Sequence, residues 1–218
     1  MGPMFKDRED AGQKLVEALK GRTYTEGLVL AIPRGGVVVG AQIASGLGLP
    51  LDVIIPRKIG APYNPEVAVG AVAQDGTVLY DYYSLAALGL KEEDLRPQVE
   101  RILQEIARRL KLYRGDEPVP RLGGRTIVLT DDGIATGYTV LAALRFLRAH
   151  NPREIILAVP VAPPETIALL RPEVNEVVCL LQPTPFYAVG QFYEHFPQVD
   201  DAEVLALLAA HKGPRGPG

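Results

Sequence analysis

Cysteine is nearly missing from this chain. Cys179 is the one example among 218 residues, tryptophan is absent and histidine occurs three times. A single thiol excludes a disulfide scaffold and any cysteine-based zinc cluster. Set in the apolar run Val177 to Leu181, it reads as a small buried hydrophobe. Aromatics are scarce at 6%, and neither sign of charge dominates, with a net charge of -3 and an isoelectric point near 5.7. That balance argues against a broad basic face for nucleic acid. Global disorder is excluded, because 47% of the residues are hydrophobic. Long membrane-type runs are lacking too. An uncharged stretch as long as any in the chain, 35–51, is interrupted by Gly46, Gly48 and Pro50, so it reads as buried structure. The charged segment Met1 to Asp10 holds no signal-peptide core, and the expected location is cytoplasmic, with no membrane partner.

What is present is an alternation of buried strands and short helices. Arg8 to Leu19 reads as an amphipathic helix. Gly27 to Ile32 and Leu51 to Ile55 are continuous apolar runs, the mark of strands buried on both faces. Small apolar residues from Val37 to Leu47 give the helix between them, so the three form a βαβ unit with parallel strands. After residue 119 the pattern resumes. Strands are expected at 125–129, 154–160 and 176–181, and helices at 137–148, 164–170 and 201–209. The expected fold is α/β, a doubly wound and mostly parallel sheet.

The middle departs from this. Pro56 to Pro65 is rich in proline and glycine and reads as a loop. Val67 to Ala73 and Thr77 to Tyr80 flank Gln74-Asp75-Gly76, a hairpin signal. Lys91 to Tyr113 is a long amphipathic helix whose stripe of Leu95, Val99, Ile102, Leu103, Ile106 and Leu110 needs a partner, as a lid or as a homodimer face. The expected organisation is one domain over 1–211, an insertion at about 64–119, a hood segment at about 183–200, and a disordered tail over 212–218.

The chemistry concentrates in Ile127 to Thr139, where an apolar strand ends on Asp131-Asp132 and a loop through Gly133 and Thr136-Gly137-Tyr138-Thr139 opens a helix. A helix start carries unpaired N–H groups and partial positive charge, so it takes phosphate. Thr136 and Thr139 add hydroxyl donors, and Gly137 lets backbone approach an anion closely. Two carboxylates would repel a phosphate directly. They suit sugar hydroxyls, or a cation bridging to a second phosphate group. The pattern describes a site for a phosphorylated sugar. A P-loop is absent, and Gly35-Gly36-Val37-Val38-Val39-Gly40 has the wrong spacing for a dinucleotide fingerprint.

The segment resembles the PRPP-binding motif of type I phosphoribosyltransferases: apolar strand, two acids, three residues, then Thr-Gly-x-Thr. Nearly the whole chain is similar to bacterial phosphoribosyltransferases of unassigned substrate, through Ile32-Pro33-Arg34-Gly35-Gly36, Pro56 to Pro62 and Phe186 to Phe196. The resemblance implies a glycosyltransferase of nucleotide metabolism. It would move the 5-phosphoribosyl group of PRPP to a nucleobase-like nitrogen, release pyrophosphate and use Mg²⁺. The alternative is a non-catalytic regulator that senses PRPP or a nucleotide.

The implied roles are specific. Ile134, Ala135, Thr136, Gly137, Tyr138 and Thr139 hold the 5'-phosphate. Asp131 and Asp132 take the ribose hydroxyls, directly or through the metal, and act catalytically with Lys58. Arg34, Gly35, Gly36, Arg57 and Lys58 receive pyrophosphate, and 59–65 is the flexible catalytic loop. Val161, Ala162, Phe186 and Tyr187 face the base. Phe192, Tyr193 and His195 join that aromatic cluster, which reads equally as a small satellite core.

Overall fold

A computed structural model describes residues 4–212. The tail from 213 onward, expected to be disordered, lies outside the described residues. The chain divides into two compact units. The first comprises Met1–Ile54, Arg121–Thr136 and Asn151–Gly218, and the second Ile55–Pro120 and Gly137–His150.

The first unit carries the parallel sheet. Its strands are β1 (Leu28–Ala31), β2 (Leu51–Val53), β6 (Thr126–Thr130), β7 (Glu154–Val161) and β8 (Glu176–Leu181), in the order β2-β1-β6-β7-β8. Every neighbouring pair is parallel. β1 and β6 are buried along their whole length, as the apolar runs Leu28–Ala31 and Ile127–Leu129 require, with Thr126 and Thr130 buried at the ends of β6. Helix α1 (Arg8–Leu19) packs on α2 (Gly35–Leu47), which also touches α7 (Asp201–Ala210). α1 is started by Asp7, whose carboxylate accepts from Asp10 N–H at 2.8 Å. A short helix, α6 (Pro164–Leu170), joins β7 to β8.

The second unit holds an antiparallel sheet of β3 (Arg57–Ala61), β4 (Asn64–Val72) and β5 (Val78–Tyr80). The hairpin around Gln74-Asp75-Gly76 is present. The loop expected over 56–65 is not: Arg57–Ala61 is a strand, and β4 begins at Asn64. Proline and glycine mark an irregular pairing here. The register shifts on both sides of Gly60, and a Cβ at Gly60 would lie 2.5 Å from the Pro65 carbonyl oxygen. Glycine lets the strand pass a proline that donates no ladder hydrogen bond.

Periodicity does not announce α3 (Tyr82–Leu88). Its ends make it: Asp81 accepts from the N–H groups of Tyr83 and Ser84, and Gly89 closes it at φ 63°. Helix α4 (Glu92–Arg114) buries Leu95, Val99, Ile106 and Tyr113, and packs on β3 and β4. Its stripe therefore finds a partner within its own unit, with Ile102, Leu103 and Leu110 half-buried. Helix α5 (Tyr138–Ala149) follows β6 in the chain and packs on β3, β4 and β5. The segment read as an insertion, 64–119, lies inside this unit, which extends beyond it to β3 and α5. Among the described residues, no helix is long and apolar enough to cross a membrane.

On α4, hydrogen bonds from Arg108 and Arg109 hold the Glu105 carboxyl down to about 2. A depressed carboxylate stabilises the fold above its unfolded value of 4.5, and that stabilisation fades as pH falls toward about 2. Because these are surface pairs, Glu105→Gln is expected to cost about 1 kcal/mol or less at pH 7. Thermal melts of the two proteins should converge near pH 2 to 3, provided both remain folded there. A constant gap from pH 7 downward would remove the ion pairs as the cause.

Candidate functional site

The strand order reverses between β1 and β6, whose last residues, Ala31 and Thr130, lie opposite each other. In open α/β sheets the crevice at such a reversal, beyond the carboxyl ends of the strands, receives the ligand. Two loops meet there. From β1 comes Pro33-Arg34-Gly35-Gly36, with a cis Pro33–Arg34 peptide. From β6 comes Asp131-Asp132. They are in direct contact. A Cβ at Gly35 would lie 1.9 Å from Asp132 Oδ2, and one at Gly36 would lie 2.9 Å from Asp131 Cα. Side chains are excluded at both glycines, so the start of α2 sits against the acid pair.

The acids have unequal surroundings. Arg8 Nε donates to Asp132 Oδ2 at 2.7 Å, and Arg8 Nη1 donates to the Pro197 carbonyl at 2.7 Å. The guanidinium also lies 3.7 Å from the centroid of the Phe196 ring. Tyr193 Oη donates to the Asp132 carbonyl at 2.6 Å, and Asp132 N–H donates to Asp131 Oδ1 at 2.8 Å. Burial, then the charge of Asp132, pushes the Asp131 carboxyl well above the usual carboxylate range. Burial also raises Asp132, against the pull of Arg8. The same burial raises the Tyr193 phenol.

The loop beyond the acids is held from below and open above. Ile134 is buried, and its N–H donates to the Val161 carbonyl at 2.9 Å. Thr166 Oγ1 donates to the Ala135 carbonyl at 2.5 Å. Ala135 and Thr136 are exposed, whereas Gly137 is buried. Gly137 takes φ 85°, the left-handed turn that starts α5. Tyr138, the first residue of α5, bonds to Asp81, and burial together with that bond pushes its phenol up to about 12. Thr139 is half-buried in the same turn.

The structure thus brings together Asp131, Asp132, Gly35, Gly36 and the start of the Ile134–Thr139 loop. Arg57 and Lys58 lie on β3, in the second unit. Burial and the neighbouring Arg109 pull the Arg57 guanidinium below its ordinary value. Val161 and Ala162, expected to face the base, are both fully buried. Val161 belongs to a satellite core with Phe5, Ala11, Phe192 and Tyr193, against which Phe186 packs. Tyr187 is 83% exposed, and His195 is exposed. Cys179 is half-buried rather than fully so, with its thiol pushed up to about 11 by desolvation. Arg8 and Thr166 are the functional candidates that sequence reasoning missed. Neither belongs to a recognisable pattern, and long-range contacts alone reveal them.

Among the described residues, no group of three or more His, Cys, Asp or Glu side chains could hold a metal by itself. The acid pair fits Mg²⁺ differently. That ion takes one or two carboxylates and completes its shell with water and substrate phosphates.

Fold and site define a class: α/β proteins whose switch-point crevice pairs a glycine loop with two acids and a helix-start loop. A family model for the phosphoribosyl transferase domain matches residues 5–193, and the chain belongs to that family of glycosyltransferases. A curated Mycobacterium tuberculosis protein, provisionally named a phosphoribosyl transferase, is 40% identical over 211 residues, 96% of this chain and 47% of its own length. The chain therefore spans about half the length of the curated relatives it matches. The crystal structure of the protein TT1426 from Thermus thermophilus is 40% identical, with a TM-score of 0.80, over 96% of this chain and 99% of that one. A hypothetical protein from Neisseria gonorrhoeae shares the fold alone, at 13% identity and a TM-score of 0.50 over 96% of this chain and 98% of that one.

Proposed function

We propose that this chain transfers the 5-phosphoribosyl group of PRPP to a nitrogen of a nucleobase-like heterocycle and releases pyrophosphate. One observation carries the reading: the glycine loop and the acid pair touch at the switch point, as the Gly35 and Gly36 contacts require. A ligand with a sugar between two phosphorylated ends suits an acid pair that touches the Gly35-Gly36 loop and is followed in the chain by the Ile134–Thr139 loop.

In the reaction, the bond from C1 of the ribose to the pyrophosphate oxygen breaks, and a bond from C1 to the acceptor nitrogen forms. Within the loop from Ile134 to Thr139, the 5'-phosphate is bound by the Thr136 and Thr139 hydroxyls and by backbone N–H groups other than that of Ile134, which is committed to the Val161 carbonyl. Asp131 and Asp132 orient the ribose hydroxyls and oppose the positive charge that grows on the sugar. The N–H groups around Gly35 and Gly36, with Arg34, receive the leaving pyrophosphate. Asp131 and Asp132 also take Mg²⁺, which neutralises phosphate charge when bound with PRPP. Tyr187 stacks on the acceptor ring. The setting is cytoplasmic, where a lone thiol stays reduced.

The test is calorimetric titration of PRPP with and without Mg²⁺, followed by a screen of purine and pyrimidine bases for pyrophosphate release. Mg²⁺-dependent binding and base-dependent release are expected. Base-independent release would point to hydrolysis. Absence of PRPP binding would overturn the reading.

A further inference from the structure

Arg8 stands at the site, yet no motif includes it. It opens α1 with its side chain 9% exposed, and its guanidinium meets partners at two nitrogens and over one face. Nε meets Asp132 Oδ2, Nη1 meets the Pro197 carbonyl, and the plane covers Phe196. A Cβ at Gly35 would lie 2.7 Å from Arg8 Nε, so the arginine also adjoins the glycine loop. The chain on both sides is anchored. Phe5 pairs with Tyr193 as a parallel bridge, Glu194 N–H donates to the Phe5 carbonyl at 2.9 Å, and His195 N–H donates to the Lys6 carbonyl at 2.8 Å. Tyr193 and Phe196 pack with tilted rings, centroids 4.9 Å apart.

We infer that Arg8 is a positioning residue for ligand binding: it neutralises Asp132 and fixes it against the glycine loop, so that two adjacent carboxylates can face a polyanionic ligand. The inference rests on the PRPP reading. Asp131 and Asp132 without a counter-charge would present two negative charges beside the place where pyrophosphate must sit. With Arg8 in place, that repulsion is reduced and Asp132 is held in one geometry, with one oxygen committed to Arg8. A guanidinium serves better than an ammonium, because its planar fork satisfies a carboxylate and a carbonyl together while stacking on a ring.

The experiment is a charge-rescue cycle on the full chain, comparing wild type, Arg8→Gln, Asp132→Asn and the double variant by Mg²⁺-PRPP titration. Removing the arginine leaves a buried carboxylate uncompensated, so Arg8→Gln should weaken binding about tenfold or more. Asn at position 132 removes the charge but keeps an acceptor oxygen. The double variant should therefore bind within about threefold of Asp132→Asn alone, a non-additivity that loss of packing would not give. Arg8→Lys should fall between wild type and Arg8→Gln. If Arg8→Gln does not fold, Arg8→Lys with and without Asp132→Asn makes the same comparison. Wild-type affinity in Arg8→Gln, or additive losses in the double variant, would overturn the inference while leaving the PRPP reading intact. Failure of the wild type to bind PRPP would overturn both.

Discussion

Gly35→Ala is expected to weaken PRPP binding more than about 100-fold, on the scale of about 1.4 kcal/mol per tenfold. It is also expected to destabilise the protein by roughly 1–3 kcal/mol, the usual cost of forcing a methyl into filled space. The added carbon would lie 1.9 Å from Asp132 Oδ2 and 2.7 Å from Arg8 Nε. Something must move, and everything within reach belongs to the site. If the carboxylate swings away, the Arg8 ion pair breaks. If the loop lifts, the backbone N–H groups leave the leaving-group position. Gly36→Ala is a graded comparison, because its nearest contacts are 2.9 Å, to Asp131 Cα and Oδ1. Titration calorimetry and thermal melts should rank Gly35→Ala below Gly36→Ala, and both below wild type. Unchanged PRPP affinity in Gly35→Ala would mean that the ligand does not use this loop.

Asp131→Asn separates function from stability. Binding of Mg²⁺-PRPP should fall by about 100-fold or more, because a neutral amide neither opposes positive charge on the sugar nor attracts a cation. Stability should move the other way. Burial and Asp132 raise the folded-state value of Asp131 above its ordinary value of 3.8. A raised carboxyl favours the folded protein at low pH. The penalty on the fold grows as pH rises above the unfolded value and stays at its full size above the folded value. Asparagine carries no such penalty. The variant should therefore melt a few degrees higher than wild type at pH 7 to 8, with the gap closing below about pH 4. A variant that melts lower at pH 8 would show that the Asp131 carboxylate is structurally satisfied. Functional sites commonly hold a group that costs stability, which is the trade these two readouts would measure together.

Much of this follows from local sequence. The parallel core is legible because β1, β6 and β7 are apolar without alternation, a pattern that only a sheet covered on both faces accommodates. The loop between β6 and α5 is legible because its elements are contiguous: strand, acids, glycine and threonines lie within Ile127 to Thr139. The long helix α4 shows its stripe at helical spacing. Contiguity also misleads. Proline and glycine between 56 and 65 read as a loop, although they mark a bulged strand pair in which Gly60 passes Pro65. α3 has too few turns for periodicity, and its capping residues, Asp81 and Gly89, carry the signal instead.

Tertiary structure decided what depends on residues far apart in the chain. Arg8 is one arginine among many until folding brings it to Asp132, 124 positions later. Thr166 reaches back 31 positions to hold the Ala135 carbonyl. Val161 is buried and holds the loop through the Ile134 N–H, whereas Ala162 is buried with its N–H on the Leu181 carbonyl. By itself, the sequence determined the fold class and the strand-acids-loop-helix order of Ile127 to Thr139, because propensity, hydrophobic period and helix-start chemistry act over a few neighbouring residues. The tertiary structure decided which charge neutralises the second acid and which aromatic stays exposed. Those outcomes depend on packing between distant segments, and no local pattern encodes them.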